Sequence, residues 1–191
     1  RPDARQVDCW HFFPDMSAST MADCEFTFER HLPNKAQFRK MGRRLGFHEE
    51  TMRAILRDKP QHDAMTDMNY LTQLREIESD NTGSKALNSK YIVLEYHGDL
   101  TNEQVCDLLC AVGQHEVAEE IKVADDPLIE RRVVIYFCQG KLLKIAPDYP
   151  MDSGEPLYSV FSFERGEASI FGAVGIPRLV RHEQSMLNSA V

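Results

Sequence analysis

Residues 131–147, RRVVIYFCQGKLLKIAP, form an apolar run rich in the β-branched and aromatic residues that favour strands. Gln139-Gly140 divides the run and is typical of a hairpin turn. Further along, residues 156–172, PLYSVFSFERGEASIFG, alternate in a similar way on either side of Arg165-Gly166. The two patterns predict two hairpins between residues 128 and 175. Because two hairpins alone are only marginally stable, we expect them to pack on the rest of the chain or to pair with another molecule.

On the N-terminal side of this run the apolar residues recur with helical spacing. In residues 99–121, DLTNEQVCDLLCAVGQHEVAEEI, Thr101 and Gln104 fit a capping box, and Gly113 predicts a break between two short helices. Residues 34–46, NKAQFRKMGRRLG, predict a helix after an Asn34 cap, and residues 48–60, HEETMRAILRDKP, predict another.

Three further helices are predicted from weaker patterns. The first runs from Thr20 to Leu32 and ends at Pro33, the second is an acidic helix within residues 61–83, and the third lies between Ser84 and Gly98. Residues 1–19 are interpreted as an arm whose aromatic side chains dock on the body of the protein. Residues 177–191 are expected to form a short helix or a tail.

The order of these elements resembles a known family. Residues 38–60, FRKMGRRLGFHEETMRAILRDKP, are similar to the second and third helices of a death domain, with an aromatic residue, a Leu-Gly joint and an acidic helix start in that order. Residues 99–121 are similar to its fifth and sixth helices, with a Leu-Leu pair, a small break and an Ala-Glu-Glu-Ile ending. The resemblance covers residues 20–122. It implies a mainly α fold, a six-helix death-fold bundle, with residues 63–83 as an inserted helix.

The domain organisation expected from this resemblance has three parts. Residues 1–19 are an N-terminal arm, residues 20–122 a death-domain-like helical bundle, and residues 123–191 a small β-hairpin-rich C-terminal extension with a tail. The implied function is that of a non-catalytic adaptor or signalling module of apoptosis or innate immunity. Its partners would be death-domain-containing proteins or a second copy of the chain, with no cofactor and no metal.

Charge is distributed unevenly along the chain. Residues 30–60 contain nine basic and three acidic residues, a net of +6, whereas residues 61–126 contain four basic and fourteen acidic residues, a net of −10. Opposed faces of this kind favour head-to-tail association, in which the basic face of one molecule meets the acidic face of the next. The predicted basic face consists of Arg39, Lys40, Arg43, Arg44, Arg53 and Arg57. The predicted acidic face consists of Asp107, Glu116, Glu119 and Glu120.

The overall composition disfavours several classes of function. A formal net charge of −8 argues against nucleic acid as the main partner, although Lys35 and the basic residues from Arg39 to Arg44 could bind RNA or an acidic lipid. No apolar run approaches the length that spans a bilayer, so membrane insertion is not expected. Five cysteines without framework spacing suggest reduced thiols and a cytoplasmic protein.

Two groups of cysteine and histidine residues suggest chemical sites as alternatives to the adaptor function. Cys106, Cys110 and His115 lie close in sequence, but a structural zinc site would need a fourth ligand that the pattern does not offer. Cys138 could be a nucleophile with His97 or His115 as its base, although no protease signature surrounds it. The alternatives are therefore a cysteine-dependent enzyme, or an interaction subunit of an unrelated complex such as RNA-processing machinery.

Overall fold

A five-stranded antiparallel sheet forms the centre of the protein. The computed structural model describes residues 4–58, 90–124, 126–148, 156–161, 170–172 and 180–189. The strands follow one another across the sheet in chain order. They are β1 (Phe12–Pro14), β2 (Phe26–His31), β3 (Val93–Thr101), β4 (Glu130–Cys138) and β5 (Lys141–Ala146). The helices are α1 (Lys35–Gly42), α2 (Glu49–Arg57), α3 (Asn102–Ala111), α4 (His115–Ala124) and α5 (Arg181–Ser189). Short 3₁₀ turns span Cys9–His11 and Met21–Asp23.

This sheet shows that the predicted mainly α six-helix bundle is wrong. Death domains are all-helical, so the assignment of residues 20–122 to that family is wrong as well. Two segments that were predicted as helical are strands: residues 26–31 form β2, and residues 93–98 lie in β3. β3 is the central strand and pairs with β2 on one side and with β4 on the other.

Where local sequence signals are strong, the predicted elements are present. Both α1 and α3 begin with a capping box, in which Asn34 pairs with Gln37 and Thr101 with Gln104. Met52 and Ile55 of α2 are buried, as its periodicity predicts. The β4–β5 hairpin turns at Gln139 and Gly140, which have φ angles of 53° and 70°. Paired positive φ angles fit the two-residue turn that connects twisted strands.

Other predictions meet the structure only in part. The proposed inserted helix at residues 63–83 lies outside the described residues. In the region of the second predicted hairpin, residues 156–161 are not assigned to a strand, and residues 162–169 are not described. β1 belongs to the predicted arm, yet it pairs with β2 of the predicted bundle. In the same way β3, in the predicted bundle, pairs with β4, in the predicted C-terminal extension. The sheet therefore joins all three predicted parts of the chain.

A helix pair packs against each face of the sheet. Alternate residues of β4 face opposite sides, so Val133 and Ile135 pack with α3 and α4, whereas Cys138 packs with α1 and α2. We call these the α3–α4 face and the α1–α2 face. Phe38 is the buried anchor of α1 and stacks on Tyr91 with ring centroids 4.7 Å apart. None of the helices in the described ranges is long and apolar enough to cross a membrane.

Candidate functional site: a carboxylate and imidazole cluster beneath a cationic cleft

The tripeptide pattern Glu-x-His occurs on two neighbouring strands. It is Glu29-Arg30-His31 on β2 and Glu95-Tyr96-His97 on β3. Residues two apart on a strand share one face, and the antiparallel register places Glu29 directly opposite Glu95. Four ionisable side chains therefore gather on the α1–α2 face of the sheet. We call Glu29, His31, Glu95 and His97 the floor cluster.

Within the floor cluster one imidazole lies between the two carboxylates. His31 Nε2 is 2.6 Å from Glu95 Oε2, and His31 Nδ1 is 3.4 Å from Glu29 Oε1. His97 Nε2 lies 3.0 Å from Glu95 Oε1. Glu29 and His97 are buried, and the side chains of His31 and Glu95 keep 19% and 13% of their exposure. His31 and Glu95, which are partly exposed, are therefore the groups that a ligand could reach.

Two phenols and a guanidinium complete the hydrogen bonding of the carboxylates. The Tyr136 hydroxyl donates to Glu95 Oε1 over 2.6 Å, and the Tyr158 hydroxyl donates to Glu29 Oε2 over 3.0 Å. Tyr158 also lies edge-on to the His97 ring. Arg5 donates to Glu29 Oε1 over 2.5 Å from a side chain that is 64% exposed. These contacts fix the orientation of both carboxylates.

The hydrogen bonds decide the ionisation of Glu95. Burial by itself raises the pKa of this carboxyl, but hydrogen bonds from His31, His97 and Tyr136 outweigh burial and hold its pKa well below the ordinary value. Burial, reinforced by the neighbouring carboxylates, raises the pKa of Tyr136 and of Tyr158. At neutral pH Glu95 is therefore ionised while both phenols keep their protons and donate.

A cleft of about 660 Å³ opens above part of this cluster. We call it the cationic cleft. Its lining residues are Arg5, Arg30, His31, Leu32, Pro33, Gln37, Lys40, Met41, Arg44, Glu95 and Tyr136. Four cationic side chains and one carboxylate line it, and counting the adjacent Glu29 as well still leaves a formal charge of +2. The floor of the cleft is thus anionic and its walls carry an excess of positive charge.

The cations of the cleft differ in how far they are already engaged. Arg5 pairs with Glu29, and Arg30 donates to His11 Nδ1 and to the Trp10 carbonyl. Lys40 and Arg44 are exposed, and no ion pair joins either of them to another residue in the described part of the chain. These two side chains supply the uncommitted positive charge of the cleft.

Only part of the predicted basic face reaches this site. Lys40 and Arg44 line the cationic cleft, whereas the other four residues are exposed on or beside α1 and α2 outside its lining. These four are Arg39, Arg43, Arg53 and Arg57. Arg53 pairs with Glu49 one helical turn away.

The predicted acidic face lies on the other side of the sheet. Its residues, all exposed on α3 and α4, are Asp107, Glu116, Glu119 and Glu120. Because the two helix pairs cover opposite faces of the sheet, the basic and acidic sets are separated by its thickness. The structure does not bring them together into one site.

No protein-family model matches this chain, and neither does any curated protein. The sheet contradicts the death-domain assignment, and no relative supports the implied role in apoptosis or innate immunity.

The sites predicted around cysteine are not assembled in the structure. Cys138 is 1% exposed, and burial raises the pKa of its thiol to about 11, so very little thiolate exists at neutral pH. His97 pairs with Val134, four positions from Cys138 and therefore ~13 Å away along the strand. His115, the other predicted base, lies on α4 beyond the opposite face of the sheet. Neither histidine is placed to activate this thiol.

A metal site at Cys106, Cys110 and His115 is not formed either. The Cys106 thiol is buried and donates to the Ala118 carbonyl over 3.4 Å, and His115 is exposed. Within the described ranges, three or more potential metal ligands converge only at Glu29, His31 and Glu95.

The floor cluster was missed although its signal is present in the sequence. Two Glu-x-His tripeptides are visible in the sequence, but the spacing of the apolar residues predicts a helix in both segments. Residues two apart point in different directions on a helix, so Glu and His were not expected to act together. On strands the same spacing places them side by side.

Proposed function

We propose that this protein binds a small anionic molecule in the cationic cleft. The observation that carries the proposal is the uncommitted charge of Lys40 and Arg44 beside a cleft of small-molecule size. Clefts lined by an excess of one charge concentrate ligands of the opposite charge. Positively charged side chains also bind phosphate and carboxylate groups through strong hydrogen bonds.

The floor of the cleft supports a role in proton transfer on such a ligand. Glu95, ionised at neutral pH, lies within hydrogen-bond reach of His31, and both line the cleft together with the protonated Tyr136 hydroxyl. A carboxylate paired with an imidazole is a common acid–base arrangement. The proposal therefore includes enzymatic acid–base chemistry on the bound anion, in place of the thiol chemistry considered for Cys138.

The proposal can be tested by calorimetry with three probes: inorganic phosphate, pyrophosphate and citrate. We expect at least one of them to bind the wild-type protein. The double variant Lys40→Glu with Arg44→Glu should weaken that binding by about tenfold or more, because each reversed side chain replaces an attractive charge with a repulsive one.

The matched control is Arg39→Glu with Arg43→Glu. These residues are exposed in the same short stretch of chain, and the change in net charge is identical, but neither lines the cleft. Binding within about twofold of wild type is expected for this control. Equal losses in the two double variants would show a general charge effect and contradict a specific site.

A second proposal is head-to-tail self-association between the basic and acidic helix pairs. It is favoured by one observation: the two predicted charged sets are exposed on opposite sides of the sheet, which is the arrangement that lets copies stack in one direction. This proposal does not depend on death-domain partners.

Light scattering across salt concentrations tests this second proposal. We expect the wild-type mass to fall towards that of the monomer as salt rises, and Arg39→Glu with Arg43→Glu to remain monomeric at low salt. Self-association that is unchanged by salt and by this charge reversal would exclude the opposed faces as its cause. Because the same variant leaves the cleft intact, the two proposals are measured separately.

A further inference from the structure

We propose that Glu29, His31 and Glu95 bind a divalent transition-metal ion at the floor of the cationic cleft. The inference deepens the proposed function, on which it rests for the role of the cleft as a ligand site; with an ion bound, His31 and Glu95 hold the ion instead of transferring protons themselves. Each of the three side chains offers one donor atom, and these atoms all lie within 4.8 Å of one another. Donors bound to one zinc ion at about 2.0–2.2 Å lie roughly 3–3.5 Å apart, so small side-chain adjustments are enough.

The donor set itself points to the class of ion. Two carboxylates and one imidazole suit Zn²⁺, Mn²⁺ or Fe²⁺ better than Ca²⁺ or Mg²⁺, which prefer oxygen alone. A set of three protein ligands that leaves a further position open is typical of catalytic zinc rather than of structural zinc. The open position would face the cleft, because His31 and Glu95 line it.

The surrounding groups are arranged as the outer partners of metal ligands usually are. Tyr136 holds Glu95, Tyr158 holds Glu29, and His97 lies 3.0 Å from Glu95 Oε1. Hydrogen bonds of this kind orient coordinating carboxylates and maintain their affinity for the ion. The floor cluster is therefore more than an acidic patch, since a buried carboxylate, a partly exposed carboxylate and a partly exposed imidazole are held by neighbouring side chains.

An ion could also reach the site. The cleft gives access to His31 and Glu95, and the Arg5 guanidinium that occupies Glu29 Oε1 belongs to a largely exposed side chain. A bound cation would replace the positive charge that Arg5 supplies to the buried Glu29 carboxylate, and the released guanidinium would return to water. An anion bound by Lys40 and Arg44 would then lie beside the metal's open position.

The test is calorimetric titration with Zn²⁺ in a buffer free of phosphate, on protein carrying Cys9→Ser and Cys110→Ser. These two changes remove the cysteines that are not buried among the described residues and that would bind zinc independently. We expect one ion per chain. Glu29→Gln and His31→Gln should each weaken binding by about tenfold or more, since the loss of an outer partner alone costs ~10–100-fold.

Two further measurements make the result decisive. The control His115→Gln with Glu116→Gln removes an exposed imidazole and carboxylate on α4 and should leave the affinity unchanged. With Co²⁺ as the probe, the wild-type protein should give visible absorption bands of nitrogen and oxygen ligation, which Glu29→Gln should alter while its circular dichroism remains that of the folded protein.

No binding of Zn²⁺ to the wild type, or binding that survives both Glu29→Gln and His31→Gln, would overturn the metal site. Failure of the metal site and failure of the anion site are distinguishable. If the anion site alone is wrong, Zn²⁺ still binds and Lys40→Glu with Arg44→Glu has no effect on the anion probes. If the metal site alone is wrong, the anion probes still bind in metal-free buffer and lose affinity in that double variant.

Discussion

Phe38→Ala should lower the free energy of unfolding by about 3–5 kcal/mol, the range found when a fully buried aromatic side chain is truncated. Phe38 has no exposed surface and is the buried residue of α1. Its ring stacks almost parallel to that of Tyr91, with an angle of 16° between the planes. Removing it leaves a cavity between α1 and the sheet. Urea denaturation followed by circular dichroism measures the loss.

Phe38→Ala should also affect the cationic cleft, because α1 carries Lys40. Partial detachment of α1 should weaken binding of the anion probe along with stability. Phe38→Leu, which keeps most of the apolar volume, should recover a large part of both quantities. Phe13→Ala is the comparison, since Phe13 is 43% exposed and its truncation should cost much less. A loss below about 1 kcal/mol for Phe38→Ala would show that α1 is held in some other way.

Glu95→Ala should destabilise the protein by about 3 kcal/mol, the lower end of what is lost when one partner of a buried ion-paired group is removed. Three side chains form hydrogen bonds to this carboxylate: His31, His97 and Tyr136. Without it, the Tyr136 hydroxyl and two imidazole nitrogens lose their acceptor in a site that water reaches only partly. Unsatisfied groups of this kind cost about 1–3 kcal/mol each before relaxation.

Glu95→Gln separates hydrogen bonding from charge. Its amide oxygen can still accept from Tyr136, so thermal denaturation should place its stability between those of the wild type and Glu95→Ala. Glu119→Ala is the control for loss of an exposed carboxylate and should change stability by less than about 0.5 kcal/mol. If Glu95→Ala were as stable as that control, the floor cluster would not be a coupled network.

Local chemistry could be predicted from this sequence, and long-range pairing could not. Capping boxes at Asn34 and Thr101 and the turn at Gln139-Gly140 act within a few residues, so their signals can be read directly from the chain. β2 depends on partners in β3 more than sixty residues away. Strand preference is decided by such neighbours far more than by the residue itself.

The polar residues of the floor cluster also made the strand that carries them hard to predict. In β2 the buried positions are Thr27 and Glu29, which are polar, whereas Phe26 is partly exposed. The usual pattern of apolar residues inside is thus inverted where the floor cluster lies. Apolar residues at Cys24, Phe28 and Leu32 then matched a helical period by coincidence. Local rules of this kind are expected to fail most often at functional sites.

For the charged residues too, local features could be predicted from the sequence and long-range packing could not. Exposure of Asp107, Glu119 and the other members of the acidic set follows from helical periodicity, which was correct for α3 and α4. The position of Lys40 above Glu95 does not follow from helical periodicity, because it depends on how α1 packs over the sheet. A sequence pattern indicates which side of a helix faces water, but not which strand lies beneath it.

The pairing of β2 with β3 also bears on how the chain folds. His31 lies opposite Val93, so the two ends of the chain segment between them, about sixty residues apart in sequence, must come together before the two Glu-x-His segments meet. Closing such a loop is entropically unfavourable, and contacts between distant residues generally form slowly. The β4–β5 hairpin and the α3–α4 pair, both local, can form earlier. The proposed binding site is therefore expected to be among the last parts of the protein to assemble, and binding of the probes would report on chains that have completed folding.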